Sequence, residues 1–363
     1  MSVIAVHHPA MDEHDPPHAP RMSEIRLRGE AIRTMLQENT DVFALREAKD
    51  LGEKVILRTH SQDLYDVLRV AYDRFQRQTQ TTDEPLIVDT FAVGRMRTEG
   101  LKHVREILEN EDADIAHALG MFVSDATSPM TKGTFKAAYW AAQCAAHAVE
   151  VVLEEAQHRI AYALCRPPGH HASRDIAGGF CFFNNVAVAA EQALAKGKRP
   201  AILDVDFHHG NGTQDIFYAR SDVLFVSLHC DPRFEYPFWA GFSTEHGEGE
   251  GEGYNLNVPL PPGTTGEEFN GELEKQALPR IAEFKPDVLL ISLGTDTARA
   301  DPEGQFLLDT ADFHQMGAKI SAAFATTPIV VVQEGGYSVA GENNVLSVNV
   351  KAFMYGLQGI ALA

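Results

Sequence analysis

Apolar residues along this chain fall into two rhythms. Short, nearly unbroken runs at residues 3–6, 161–165, 201–206, 223–228, 286–296 and 328–333 read as strands of a buried parallel sheet, apolar on both faces. Between them the spacing is helical. Ile25, Ile32 and Leu36, then Leu64, Leu68 and Tyr72, predict helix across 23–75, an Ala-rich stretch predicts another over 136–155, and Asn184 or Asn185 caps one that runs to Lys196. This alternation predicts an α/β fold with a parallel sheet flanked by helices. No Pro-, Gly- or Ser-rich linker divides the 363 residues, so they are read as a single domain.

Punctuation between these elements adds detail. His7, His8, His14 and His18 lie in and beside a Pro-rich stretch that predicts an irregular loop; nothing there fixes a common ligand geometry, so a second metal site is not expected. The polar stretch 76–100 predicts a loop, and Ser/Thr/Gly residues at 120–135 predict a turn and helix cap. The run G-E-G-E-G-E-G at 247–253 lacks the spacing of a calcium loop and is read as a mobile acidic loop.

A net charge of -20 disfavours nucleic acid and anionic membranes as partners and suits a cationic substrate, besides serving solubility. Cys144, Cys165, Cys181 and Cys230 form no C-x-x-C pair and sit beside apolar stretches, which predicts reduced, buried thiols and a cytoplasmic location. No basic and apolar leader opens the chain, and its apolar runs are too short to span a bilayer.

The chemistry concentrates where strands end. Asp204 and Asp206 share one face of the strand at 201–206, and His208 follows in the loop. A carboxylate and an imidazole two residues apart can chelate one divalent cation, and Asp296, closing another strand, supplies a third ligand and leaves a position open. Two adjacent histidines, His170 and His171, follow a Pro-Pro-Gly turn that holds them on a stiff loop. In a parallel sheet these strand ends open onto one edge, where α/β folds bind ligands.

Five blocks in order carry a resemblance: R-P-P-G-H-H (166–171), G-G-F-C-F-F-N (178–184), D-V-D-F-H-H-G-N-G-T (204–213), S-L-G-T-D (292–296) and E-G-G-Y (334–337). The chain resembles the histone deacetylase and acetylpolyamine amidohydrolase family over roughly residues 1 to 340. That resemblance implies an eight-stranded parallel sheet and zinc-dependent hydrolysis of an acetyl amide. It implies zinc on Asp206, His208 and Asp296; His171 as general base and then acid, assisted by His170; and Tyr337 as donor to the oxyanion. Asp204 would pair with His170 and Asn211 with His171, and some relatives carry Asp where this chain has Asn211.

The resemblance further implies tunnel walls from Phe180 and Tyr236, where relatives commonly carry Phe, with Gly179 allowing close approach and Asp125 orienting the substrate or capping a helix. It implies a structural potassium ion on Asp204, Asp206, His208, Ser227 and Leu228, and a homodimer shaped by residues 76–100. Stretches such as H-C-D-P-R-F-E-Y-P-F-W favour the acetylpolyamine branch, with a small cationic acetylated amine as substrate and zinc, or in the cell ferrous iron, as metal. Arg299, expected near the site, departs from that pattern and keeps protein acetyl-lysine as the alternative substrate. A two-metal hydrolase of the arginase kind would need further bridging carboxylates, and a catalytically silent binder would lack His171 or Tyr337.

Overall fold

The computed structural model describes residues 2–16, 23–339 and 344–362. Its eight strands are β1 Val3–His7, β2 Phe43–Glu47, β3 Ile160–Ala163, β4 Pro200–Asp204, β5 Leu224–Cys230, β6 Asn255–Leu260, β7 Val288–Leu293 and β8 Ile329–Gln333. They form one sheet in the order β2-β1-β3-β8-β7-β4-β5-β6, and every pairing is parallel. The β/α alternation of the sequence is therefore borne out.

Both edge strands escape the hydrophobic pattern. β2 (F-A-L-R-E) is buried only at Phe43, and β6 (N-L-N-V-P-L) carries two asparagines and a proline. An edge strand needs no apolar residue on both faces and tolerates proline, so its sequence loses the signal that marks β3, β4, β7 and β8, whose residues are all buried. The segment 23–75 is accordingly not helical throughout: helices Arg26–Glu38 and Gln62–Thr79 enclose β2 and the short helix Lys54–Leu57. The run 247–253 is also more ordered in its bonding than a mobile loop, since Gly249–Gly251 forms a 3-10 turn and the Glu248 N–H is held by the Tyr218 carbonyl.

The Ala-rich helix, Thr134–Glu154, explains how two apolar clusters meet. Ala141, Ala145 and Ala148 pack into the core built on the sheet, whereas Ala138, Ala142 and Ala146 face a second cluster with Phe182, Phe183 and the helix Gln62–Thr79. A helix buried on two faces needs small side chains to let both layers approach. The second cluster thereby buttresses the loop that follows the tandem histidines. Helix Asn185–Ala195 starts as expected, with the Asn184 side chain accepting the Ala187 N–H at 2.9 Å. Among the described residues no helix is long and apolar enough to cross a membrane.

Candidate active site

Four central strands, β3, β8, β7 and β4, deliver the chemistry to one sheet edge. β4 and β7 lie side by side with Asp204 opposite Ser292, so the chain segments beyond them bring Asp206 and His208 to Asp296. His208 Nδ1 lies 3.2 Å from Asp296 Oδ2 and 3.5 Å from Asp206 Oδ1. Two carboxylates and an imidazole can offer one atom each within 4.8 Å of one another, and no other such group occurs among the described residues. Burial, then the neighbouring charge of Asp206, pushes the Asp296 carboxyl up to about 7. Two acids packed this way suit a cation, and together with His208 their donor set fits a divalent metal ion.

Glycines make this packing possible. A Cβ on Gly294 would come 1.9 Å from Asp206 Oδ2, and one on Gly335 would come 2.2 Å from Asp296 Oδ2. The Gly335 N–H also donates to Asp206 Oδ2 at 2.8 Å, and the Phe207 N–H to Asp296 Oδ1 at 3.0 Å, which fixes both carboxylates.

The loop after β3 is tied down by a residue whose role the sequence left unread. Glu334, at the end of β8, accepts the N–H groups of Gly169 at 2.6 Å and His170 at 3.1 Å through one carboxylate oxygen. His170 then gives its Nδ1–H to Asp204 at 3.0 Å, and His171 gives its own to Asn211 at 2.7 Å. The ring centroids stand 4.0 Å apart, yet the two imidazoles differ. Burial opposes the charge on His170, but Asp206 and Asp204 outweigh it and hold the pKa up at about 10. Burial, followed by the charges of His170 and His208, pushes His171 well below its ordinary value.

Around them a cleft is lined by Thr127, His171, Gly179, Phe180, His208, Glu235, Tyr236, Phe238, Glu303 and Tyr337. Phe180 meets Tyr337 edge-on at 5.7 Å, and Tyr236 meets His171 at 4.9 Å. Arg28 stands 4.5 Å over the Tyr337 ring and donates to the Gly336 carbonyl at 2.6 Å, while Asp301 accepts the Tyr337 N–H at 2.6 Å. Burial pushes the Tyr337 phenol well up, so it remains a hydrogen-bond donor at neutral pH.

With this geometry, comparison with known proteins decides the family. The histone deacetylase domain model matches residues 21–353. The chain belongs to the histone deacetylase family. Members of the family are hydrolytic, generally metal-dependent deacetylases, and Asp206, His208 and Asp296 form the possible metal site of this one. The chain is 43% identical to acetylpolyamine amidohydrolase 1 of Pseudomonas aeruginosa over 86% of its own length and 85% of that protein. It is 38% identical to the acetylpolyamine amidohydrolase of Mycoplana ramosa over 85% and 84% of the two chains. The crystal structure of acetylpolyamine aminohydrolase from Burkholderia pseudomallei is similar with a TM-score of 0.84 and 35% identity, covering 99% of each chain.

Most residues singled out in the sequence of this deacetylase converge here; some do not. Asp125 stands behind the cleft wall, its carboxylate bonded to Tyr236, Gly179 and Thr127. Arg299 is not a cation at the site: it is half exposed, donates to Asp309 and the Leu307 carbonyl, and is absent from the cleft lining. His8 stacks on Trp140 and His14 is buried against Glu24, so these histidines share no site; His18 lies outside the described residues. Glu235, Phe238 and Glu303 in the cleft, and Glu334 and Asp301 behind it, had no role in the sequence reading. Glu334 opens the E-G-G-Y block and Asp301 follows shortly after S-L-G-T-D, and those positions were the one available signal.

Proposed function

We propose that this chain is a zinc-dependent deacetylase of small acetylated polyamines, releasing acetate and the free amine. One observation carries the reading: the cleft that reaches His171, His208 and Tyr337 also has two carboxylates, Glu235 and Glu303, in its walls. Their partners are neutral, the Gln305 amide and Tyr236 N–H for Glu235 and the Ser23 hydroxyl for Glu303. Negative charge beside aromatic surface suits a methylene arm that ends in an ammonium group. The names of the similar bacterial enzymes support the same substrate class.

Zinc, held by Asp206, His208 and Asp296, supplies Lewis acidity to the acetyl carbonyl and to water; the same donors suit ferrous iron. The protein does the rest. With Nδ1–H committed to Asn211, His171 turns its Nε2 lone pair to the cleft, takes the proton of the attacking water and returns it to the departing amine nitrogen. His170, protonated between Asp204 and Asp206, contributes positive charge. Tyr337 donates its hydroxyl to the oxygen that becomes negative. Phe180 and Tyr236 flank the arm, and Gly179 lets it pass close to the backbone.

The reading also assigns a structural potassium ion to Asp204, Asp206, His208, Ser227 and Leu228; the register that sets Asp204 beside Ser227 supports it. It further includes one domain, a homodimer through the 76–100 segment, where Ile87, Val93 and Met96 are exposed, and a cytoplasmic location that suits four buried free cysteines. Steady-state kinetics of the zinc-loaded enzyme on N-acetylputrescine, N-acetylcadaverine and an acetyl-lysine peptide test the substrate. The acetylated diamines are expected to lead, and a wide lead for the peptide would overturn the assignment in favour of protein deacetylation.

A further inference from the structure

Three loops meet at one carboxylate beside the cleft. Asp125 Oδ2 accepts the Tyr236 hydroxyl at 2.8 Å, the Ser124 hydroxyl at 3.0 Å and the Gly179 N–H at 3.1 Å. Asp125 Oδ1 accepts the Thr127 N–H at 2.9 Å and the Thr127 hydroxyl at 2.5 Å. A carboxylate has about four lone-pair sites, so these donors leave it none to offer a substrate. Gly179, Phe180, Tyr236 and Thr127 line the cleft, and Asp125 does not.

The space around the bond is closed. Gly179 has a φ of +55°, and a Cβ there would stand 2.5 Å from the His171 ring and 3.0 Å from the Tyr236 hydroxyl. On the far side the Tyr236 ring meets His171 edge-on, with an interplanar angle of 87°. Phe180, the residue after Gly179, also has a positive φ of +69° and faces Tyr337. One carboxylate thus restrains the Tyr236 wall through the phenol and the Phe180 wall through the Gly179 N–H. A phenylalanine ring would fill the same volume without that restraint.

We infer that the bond between the Tyr236 hydroxyl and Asp125 is a latch that sets the width of the substrate cleft, with Asp125 a positioning residue for Tyr236 and Gly179 and not a group that binds substrate. The inference rests on the deacetylase reading for its consequence, since the width then decides which arms can follow the acetyl amide. A slender methylene chain passes between two fixed rings. A branch next to the amide nitrogen does not.

The test uses the full-length, zinc-loaded enzyme and its Tyr236→Phe, Asp125→Asn and double variants, with N-acetylputrescine and its analogue carrying a methyl branch on the carbon bonded to the amide nitrogen. Tyr236→Phe is expected to raise KM for N-acetylputrescine about three- to tenfold with little change in kcat, and to cut the preference for the straight arm about tenfold. Asp125→Asn is expected to do the same, and the double variant no more than either single one. Additive losses, an unchanged preference, or a loss confined to Asp125→Asn would overturn the latch. A second readout needs no turnover: hydrogen exchange at the Gly179 and Thr127 amides should quicken in Tyr236→Phe. Unchanged exchange there removes the latch even if the enzyme deacetylates diamines, whereas quickened exchange in a protein that turns over neither substrate removes the deacetylase reading and leaves the latch.

Discussion

The Nδ1–H of His171 is given to a neutral acceptor, the Asn211 side-chain oxygen, at 2.7 Å. Since burial and the charges of His170 and His208 already depress its pKa, a neutral partner keeps the ring in the form that can take a proton. Asn211→Asp places a negative charge beside the same nitrogen and should raise the His171 pKa. A base acts when deprotonated, so the acid limb of the kcat/KM–pH profile should move to higher pH in that variant. An acid limb that stays in place would remove His171 from the role of base.

Gly335 is predicted to govern metal affinity without being a ligand. Its N–H holds Asp206 Oδ2, and a Cβ there would press on the carboxylates of both Asp296 and Asp206. Gly335→Ala should therefore weaken zinc binding about 10- to 100-fold. Competition against chelators of graded affinity reads this directly, and undiminished affinity would count against Asp206 and Asp296 as ligands.

Glu235 and Glu303 should act on the charged end of the substrate. Glu235→Gln and Glu303→Gln are each expected to raise KM for N-acetylputrescine about three- to tenfold, since a partly exposed ion pair contributes on the order of 1 kcal/mol. N-acetylbutylamine, which has no ammonium group, should show no change. Equal effects on both compounds would mean that the two residues shape the cleft and do not select for charge.

Beneath Tyr337 lies a buried ionic group whose disruption should unfold the protein easily. Glu24 stands 2.7 Å from Arg28 and 2.9 Å from Arg166, all of them 2% exposed. Burial pushes the Glu24 carboxyl up, but the two guanidinium groups outweigh this and hold it below the ordinary range. Glu24→Ala strands both arginines and should cost about 3 to 5 kcal/mol, seen as a lower urea midpoint. A midpoint within error of the parent would show that the arginine–carbonyl bonds suffice alone.

His60 gives the stability a pH dependence. It is 1% exposed, its Nε2 accepts the Asn184 N–H at 2.8 Å, and burial lowers its pKa to about 4. The unfolded chain protonates near the ordinary value of 6.5 and the folded one does not. The stability this group contributes is therefore complete above about pH 6.5 and lost as pH falls towards 4, at about 1.4 kcal/mol per pH unit once well below 6.5. His60→Gln should flatten the slope of unfolding free energy between pH 6 and 4.5 by about one proton. An unaltered slope would mean that the ring charges inside the fold.

How much of this could be read from residues alone depended on distance along the chain. Asp206 and His208 are two residues apart, and His170 and His171 are adjacent, so local spacing announces them. Central strands are apolar throughout because both faces are covered, and they were legible for that reason; β2 and β6 stand at the edges, where polar residues and a proline cost little. Arg299 misled because proximity in sequence to Asp296 says nothing of direction: its side chain turns to Asp309 on the surface.

By itself the sequence determined the α/β class, the parallel strands of the sheet centre, and the types of side chain gathered at their ends, since burial on two faces and short-range spacing both leave marks in one dimension. Only the tertiary structure decided which carboxylates answer which groups. Glu334 reaches the His170 loop across 164 positions, Asp301 grips the tyrosine turn across 36, and Asp125 takes the Tyr236 hydroxyl across 111. Such pairings depend on which strands lie side by side and how their loops close, and a hydrogen bond between distant residues leaves no period in the chain to read.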